Sequence, residues 1–90
     1  MNMNIIELHV RYGGRPIFVN VEKIIDFHGN HTIGEDWQFS VINLDKGTIE
    51  VKETSEEIIL AIIKAKAEGK PVLSEETINL YRSVAPHSLW

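Results

Sequence analysis

Over residues 5–12 apolar and polar residues alternate strictly. Ile6, Leu8, Val10 and Tyr12 fall on one side and Glu7, His9 and Arg11 on the other. A period of two is the signature of a half-buried strand. Gly13-Gly14 follows and supplies the positive φ angles of a tight hairpin, after which Arg15-Pro16 returns the chain to an extended path. The second strand is Ile17-Phe18-Val19; Pro16 has no N–H to give a ladder and belongs at a strand start or a sheet edge. Residues 20–23 read as a turn and 24–28 as a third strand. Residues 29–36, polar apart from Ile33 and holding Gly29 and Gly34, read as a long loop. A fourth strand covers 37–44, with Trp37, Phe39 and Val41 on one face and Gln38, Ser40 and Ile42 on the other. Asp45-Lys46-Gly47 turns it into a fifth strand over 48–52, with Ile49 and Val51 facing inward. Links this short favour an antiparallel meander of four to five strands.

At residue 54 the period changes. Thr54-Ser55-Glu56-Glu57 is a capping box, in which the Thr54 hydroxyl accepts from the Glu57 backbone and the Glu57 carboxylate reaches back. Ile58, Ile59, Ile62 and Ile63 form the apolar stripe of the helix that follows, with Ala65 and Ala67 as small spacers. Lys64, Lys66 and Lys70 lie toward its negative end, and Gly69 before Pro71 stops it. Each isoleucine fully buried is worth about 1.5–3 kcal/mol, so the stripe is expected to close the sheet's apolar face. A second helix is expected over 75–84, with Ser74 as N-cap and Ile78, Tyr81 and Val84 on one face. The expected class is therefore α+β: an antiparallel meander closed by an amphipathic helix, followed by a short second helix and a tail.

Ninety residues make one expected domain, 1–90, with the strands and closing helix over 5–68 and a C-terminal extension over 71–90. The absence of cysteine excludes disulfides and thiolate metal sites and fits a reducing cytoplasm. Met1-Asn2-Met3-Asn4 carries no basic residue and does not read as a secretory leader, and the apolar run over 58–63 is too short to span a bilayer. Thirteen acidic against nine basic residues give a net charge of −4. A chain of that balance without a basic cluster is a poor ligand for nucleic acid, whose phosphates draw on lysine and arginine.

Few residues suggest chemistry. His28, His31, Glu35 and Asp36 combine imidazole and carboxylate in and beside one loop and are the candidate ligands for zinc or another divalent ion. Their spacing matches no established zinc pattern, and turns gather such residues without any metal. Glu50, Glu53, Glu56 and Glu57 suggest paired carboxylates, but the last two fit a helix start and Glu50 alternates outward. The serines lack a nucleophile elbow, no phosphate-binding glycine loop is present, and His9 reads as exposed. Trp37, Tyr81, Leu89 and Trp90 are the candidate partner contacts, since large aromatic side chains dominate interface energetics.

Ile6-Glu7-Leu8-His9, Pro16-Ile17-Phe18-Val19-Asn20, Ile24-Ile25 and the run from Ile49-Glu50-Val51-Lys52-Glu53 through Thr54-Ser55-Glu56-Glu57-Ile58 together resemble the small flagellar FlbD family and related short bacterial and phage proteins. The resemblance covers roughly residues 5–68. It implies a compact β-rich unit with a terminal helix and no catalytic motif to carry over. Two departures are the longer, more polar loop over 29–36 and the tail after Gly69. The expected function is a non-catalytic, self-associating protein-interaction module of bacterial accessory, prophage or flagellum-related type, cytoplasmic and without a cofactor. The competing expectation is a metal-binding sensor or metal-dependent enzyme built on residues 28–36.

Overall fold

The computed structural model describes residues 4–31 and 38–84, with backbone alone at positions 31 and 84. Among these residues five strands come first: β1 (Ile5–His9), β2 (Pro16–Asn20), β3 (Ile24–His31), β4 (Gln38–Leu44) and β5 (Gly47–Val51). Two helices, α1 (Ser55–Glu68) and α2 (Glu75–Val84), follow. All strand pairs within the sheets are antiparallel, so the α+β class expected from the pattern is the one observed. The strands divide into two sheets, however, of orders β1-β2 and β3-β4-β5. A 3-10 turn at Val21–Lys23, capped by the Asn20 side chain accepting from the Glu22 N–H, redirects the chain so that β2 and β3 do not pair.

What joins the two sheets is the far edge of β1. Beyond its last residue, Val10 bridges Val51 at the end of β5, with the Lys52 N–H donating to the His9 carbonyl and the Arg11 N–H to the Glu50 carbonyl. The hairpin before β2 turns through Gly13 and Gly14 at φ of 89° and 72°, a region that side chains with a Cβ rarely enter. Tyr12, expected on the buried side of β1, lies beyond the strand end and is exposed.

The core consists of Ile6, Leu8, Val19, Val21, Ile42, Val51, Ile58 and Ala65, drawn from both sheets and from α1. Alternation assigns these strand residues well: Ile6 and Leu8 are fully buried, and Val51 and Ile49 face the core. On β4, Ser40 and Ile42 face inward, while Phe39 is buried on the opposite face beneath the Arg11 guanidinium, 3.5 Å from its ring centre. Gly29 and His31, assigned to the loop by their polar surroundings, extend β3 instead, with Gly29 paired to Ser40. Glycine suits this strand position because a Cβ there would stand 2.8 Å from Ser55 Oγ in the first turn of α1. The rest of that loop, including Glu35 and Asp36, lies outside the described residues.

α1 begins with the expected capping box. Glu57 N donates to Thr54 Oγ1 at 3.2 Å, and the Thr54 N–H donates to Glu57 Oε1 at 3.0 Å. It ends at Gly69 in the left-handed conformation. The isoleucine stripe, in contrast, is divided. Ile58 is fully buried and Ile62 packs against the core with Ala61 and Ala65, whereas Ile59 and Ile63 point outward. The four inward positions span an arc of about 100° around the helix, at about 100° per residue. The alanines let the helix lie close to the strands, and that leaves no room on the inner face for Ile59 or Ile63.

The division is testable by urea denaturation. Ile58→Ala, which empties a filled site, lowers stability by about 2–5 kcal/mol. At protein concentrations low enough that association contributes nothing, Ile63→Ala stays within about 0.5 kcal/mol of the parent. Equal losses at the two positions would contradict this placement of α1.

Candidate functional site

The polar face of β1 is not a solvent face. The Glu7 side chain is 4% exposed, and His9 lies between it and Glu53. His9 Nδ1 is 2.6 Å from Glu53 Oε2, and Nε2 is 3.2 Å from Glu7 Oε2. The His9 backbone N–H also donates to Glu53 Oε1 at 2.9 Å. Carboxylates accept and do not donate when ionised, so an imidazole facing one on each side is best served by carrying both protons. In that state neither ring nitrogen has a lone pair for proton abstraction or for a metal.

On its other side Glu7 takes hold of α2. Its Oε1 accepts from the Ser74 N–H at 3.1 Å. Ser74 Oγ in turn accepts from the Thr77 N–H at 3.2 Å, which is the N-cap role expected of it. The backbone follows the same route, with Glu7 N–H donating to the Val72 carbonyl and Val72 N–H to the Ile5 carbonyl, both at 2.9 Å. Residues 7, 9, 53 and 74 therefore form a clamp that fixes the start of α1 and the start of α2 to one strand. Next to it the Arg11 guanidinium is 2.8 Å from the Glu50 carboxylate, so Glu50 is an ion-pair partner.

The outer face of α1 has a different character. Ile59, Leu60 and Ile63 are 46%, 66% and 57% exposed. With Glu56 near its N-terminal end and Lys66 and Ala67 near its C-terminal end, they fall within an arc of about 120° at helical spacing. α2 adds exposed Leu80 and Tyr81. A separate open groove of about 430 Å³ lies between β2 and the β4–β5 hairpin. Ile17, Phe18, Leu44 and Ile49 line it, and Lys23 stands 3.9 Å from Asp45 at its edge.

Of the candidate metal ligands, His28 is exposed on β3, His31 is described by its backbone alone, and Glu35 and Asp36 lie outside the described residues. Among the described residues no group of three His, Asp or Glu side chains is placed to hold an ion. Of the candidate partner contacts Tyr81 is exposed on α2, while Trp37, Leu89 and Trp90 lie outside the described residues. Sequence reasoning missed the clamp, because Glu53 and Ser74 are 44 and 67 positions from their partners. It also missed the outer face of α1, although six successive apolar residues over 58–63 exceed what one helix face can bury. No helix among the described residues is long and apolar enough to cross a membrane.

The clamp dictates a pH dependence. The hydrogen bond to Glu53, reinforced by the charges of Glu53 and Glu7, holds the His9 pKa above the ordinary imidazole value against the opposing effect of burial. Burial alone would raise the Glu7 pKa, but hydrogen bonds from Thr77 and Ser74 and the charge of His9 bring it below the ordinary carboxylate value. The His9 contribution is complete below about pH 6.5, the ordinary imidazole pKa, and fades as pH rises through the raised folded value. The Glu7 contribution is complete above about pH 4.5 and fades as pH falls through the lowered one. The stability difference between the parent chain and His9→Gln, measured by urea denaturation, is therefore largest at weakly acidic pH and shrinks toward pH 9. A difference independent of pH would show that His9 is not held as a cation.

No protein-family model matches the chain, and no match is found among curated proteins or among solved structures.

Proposed function

We propose that the chain is a non-catalytic protein-interaction module that associates with a second copy of itself through the outer face of α1. One observation carries this reading: Ile59, Leu60 and Ile63, three large apolar side chains of a single helix, are exposed side by side while the inner face of that helix is already filled. Single exposed apolar residues are ordinary, but a contiguous group on a regular element marks a contact surface. The setting that the FlbD-like pattern implies, a bacterial accessory, prophage or flagellum-related protein, accommodates such a module. The polar groups nearest to acid–base geometry, Glu7, His9 and Glu53, are engaged with one another and with α2.

Sedimentation equilibrium of the full chain tests the reading. The parent chain has a mass above the monomer that rises with concentration. Leu60→Glu combined with Ile63→Glu, substitutions at exposed positions that leave the folded state intact by circular dichroism, gives a monomer. A parent chain that stays monomeric throughout would end the self-association reading.

A further inference from the structure

Taking the outer face of α1 as the contact surface, we infer that two copies pack their α1 helices antiparallel, Ile59 against the partner's Ile63 and Glu56 against the partner's Lys66. This rests on the reading above and adds the orientation and register of the contact.

The charges along the face set the orientation. α1 carries acids in its first turn and Lys66 in its last, as the helix dipole favours. Glu57 is committed to the capping box, but Glu56 is exposed and lies on the same side as Ile59 and Ile63. A parallel pair would bring Glu56 onto Glu56 and Lys66 onto Lys66. The antiparallel pair reverses this and brings opposite charges together at both ends.

The register follows from spacing. An isologous contact has a twofold axis, so when one residue meets a second, the second must meet the first. Ile59 with Ile63 and Glu56 with Lys66 have the same midpoint along the helix, Ala61, so one axis satisfies both pairs at once. The apolar pair lies nearest the axis, where water is excluded first, and the charged pairs flank it at the rim. Ala67, on the same face beyond Lys66, offers no bulk to hold the helices apart there. A face of 14 helical residues is about 21 Å long, which makes a small interface and a weak, reversible dimer.

Charge reversal separates this arrangement from any other use of the face. In the antiparallel pair Glu56→Lys alone or Lys66→Glu alone turns two attractions into two repulsions and weakens the dimer about tenfold by sedimentation equilibrium. The double variant restores the parent affinity. So does an equimolar mixture of the two single variants, whose heterodimer recovers both opposite-charge pairs, and recovery on mixing shows that both variants are folded. The milder Glu56→Gln and Lys66→Gln weaken the dimer about threefold and spare the helix from a reversed charge near its ends. Single reversals that leave the dimer unchanged would overturn the antiparallel register while self-association through Ile59, Leu60 and Ile63 stands. A parent chain that never dimerises would overturn both.

Discussion

Once β2 has paired along one side of β1, the outward backbone groups of Ile5, Glu7, His9 and Arg11 must find other partners, because a buried amide or carbonyl left alone is costly. The chain divides that edge in two. Its first half takes Val72, and so the segment entering α2; its second half takes the end of β5, from which α1 begins four residues later. One strand edge thus decides how the two sheets close over Ile6, Leu8 and Val51 and where both helices begin. The side chains repeat the division. Glu7 reaches toward Ser74, Glu53 toward His9, and His9 stands between the two carboxylates.

Legibility in the sequence followed the range over which each feature is determined. The capping box at Thr54, the Ser74 N-cap and the Gly13-Gly14 turn depend on residues within about one turn of chain, and each was readable from its own few letters. The alternation of β1 located Ile6 and Leu8 in the core for the same reason. The polar side of that strand was misjudged because its partners lie far along the chain. Nothing near Glu7 or His9 announces Ser74 or Glu53, and an alternating pattern assigns the polar face to water by default. Gly29 looked like the start of a loop because its role, the close passage of β3 beneath Ser55, concerns a residue 26 positions away.

The divided isoleucines show a different limit. Over residues 58–63 every position is apolar, so the run has no polar side by which to orient it. The orientation is set by the capping box before the run, by Ala65 beyond it and by Ala61, the one small side chain within it; the two alanines allow the closest approach to the strands. The sheet accepts Ile58 and Ile62 and has no further room. Apolar side chains beyond that number cannot be explained by the fold that carries them. For this reason the surplus apolar side chains lie on the outer side of the same helix that closes the core.

A helix face is a useful contact surface only when the helix is already ordered, since ordering it on association would consume the energy of contact. Short isolated helices of about 14 residues are marginal in water. α1 is held before any encounter by its buried isoleucine, by the Thr54–Glu57 box and by the tie from Glu53 to His9 immediately before it. The clamp and the outer face are therefore linked without sharing a residue. The first fixes the helix that presents the second, so weakening the clamp would reduce association without altering a single contacting side chain.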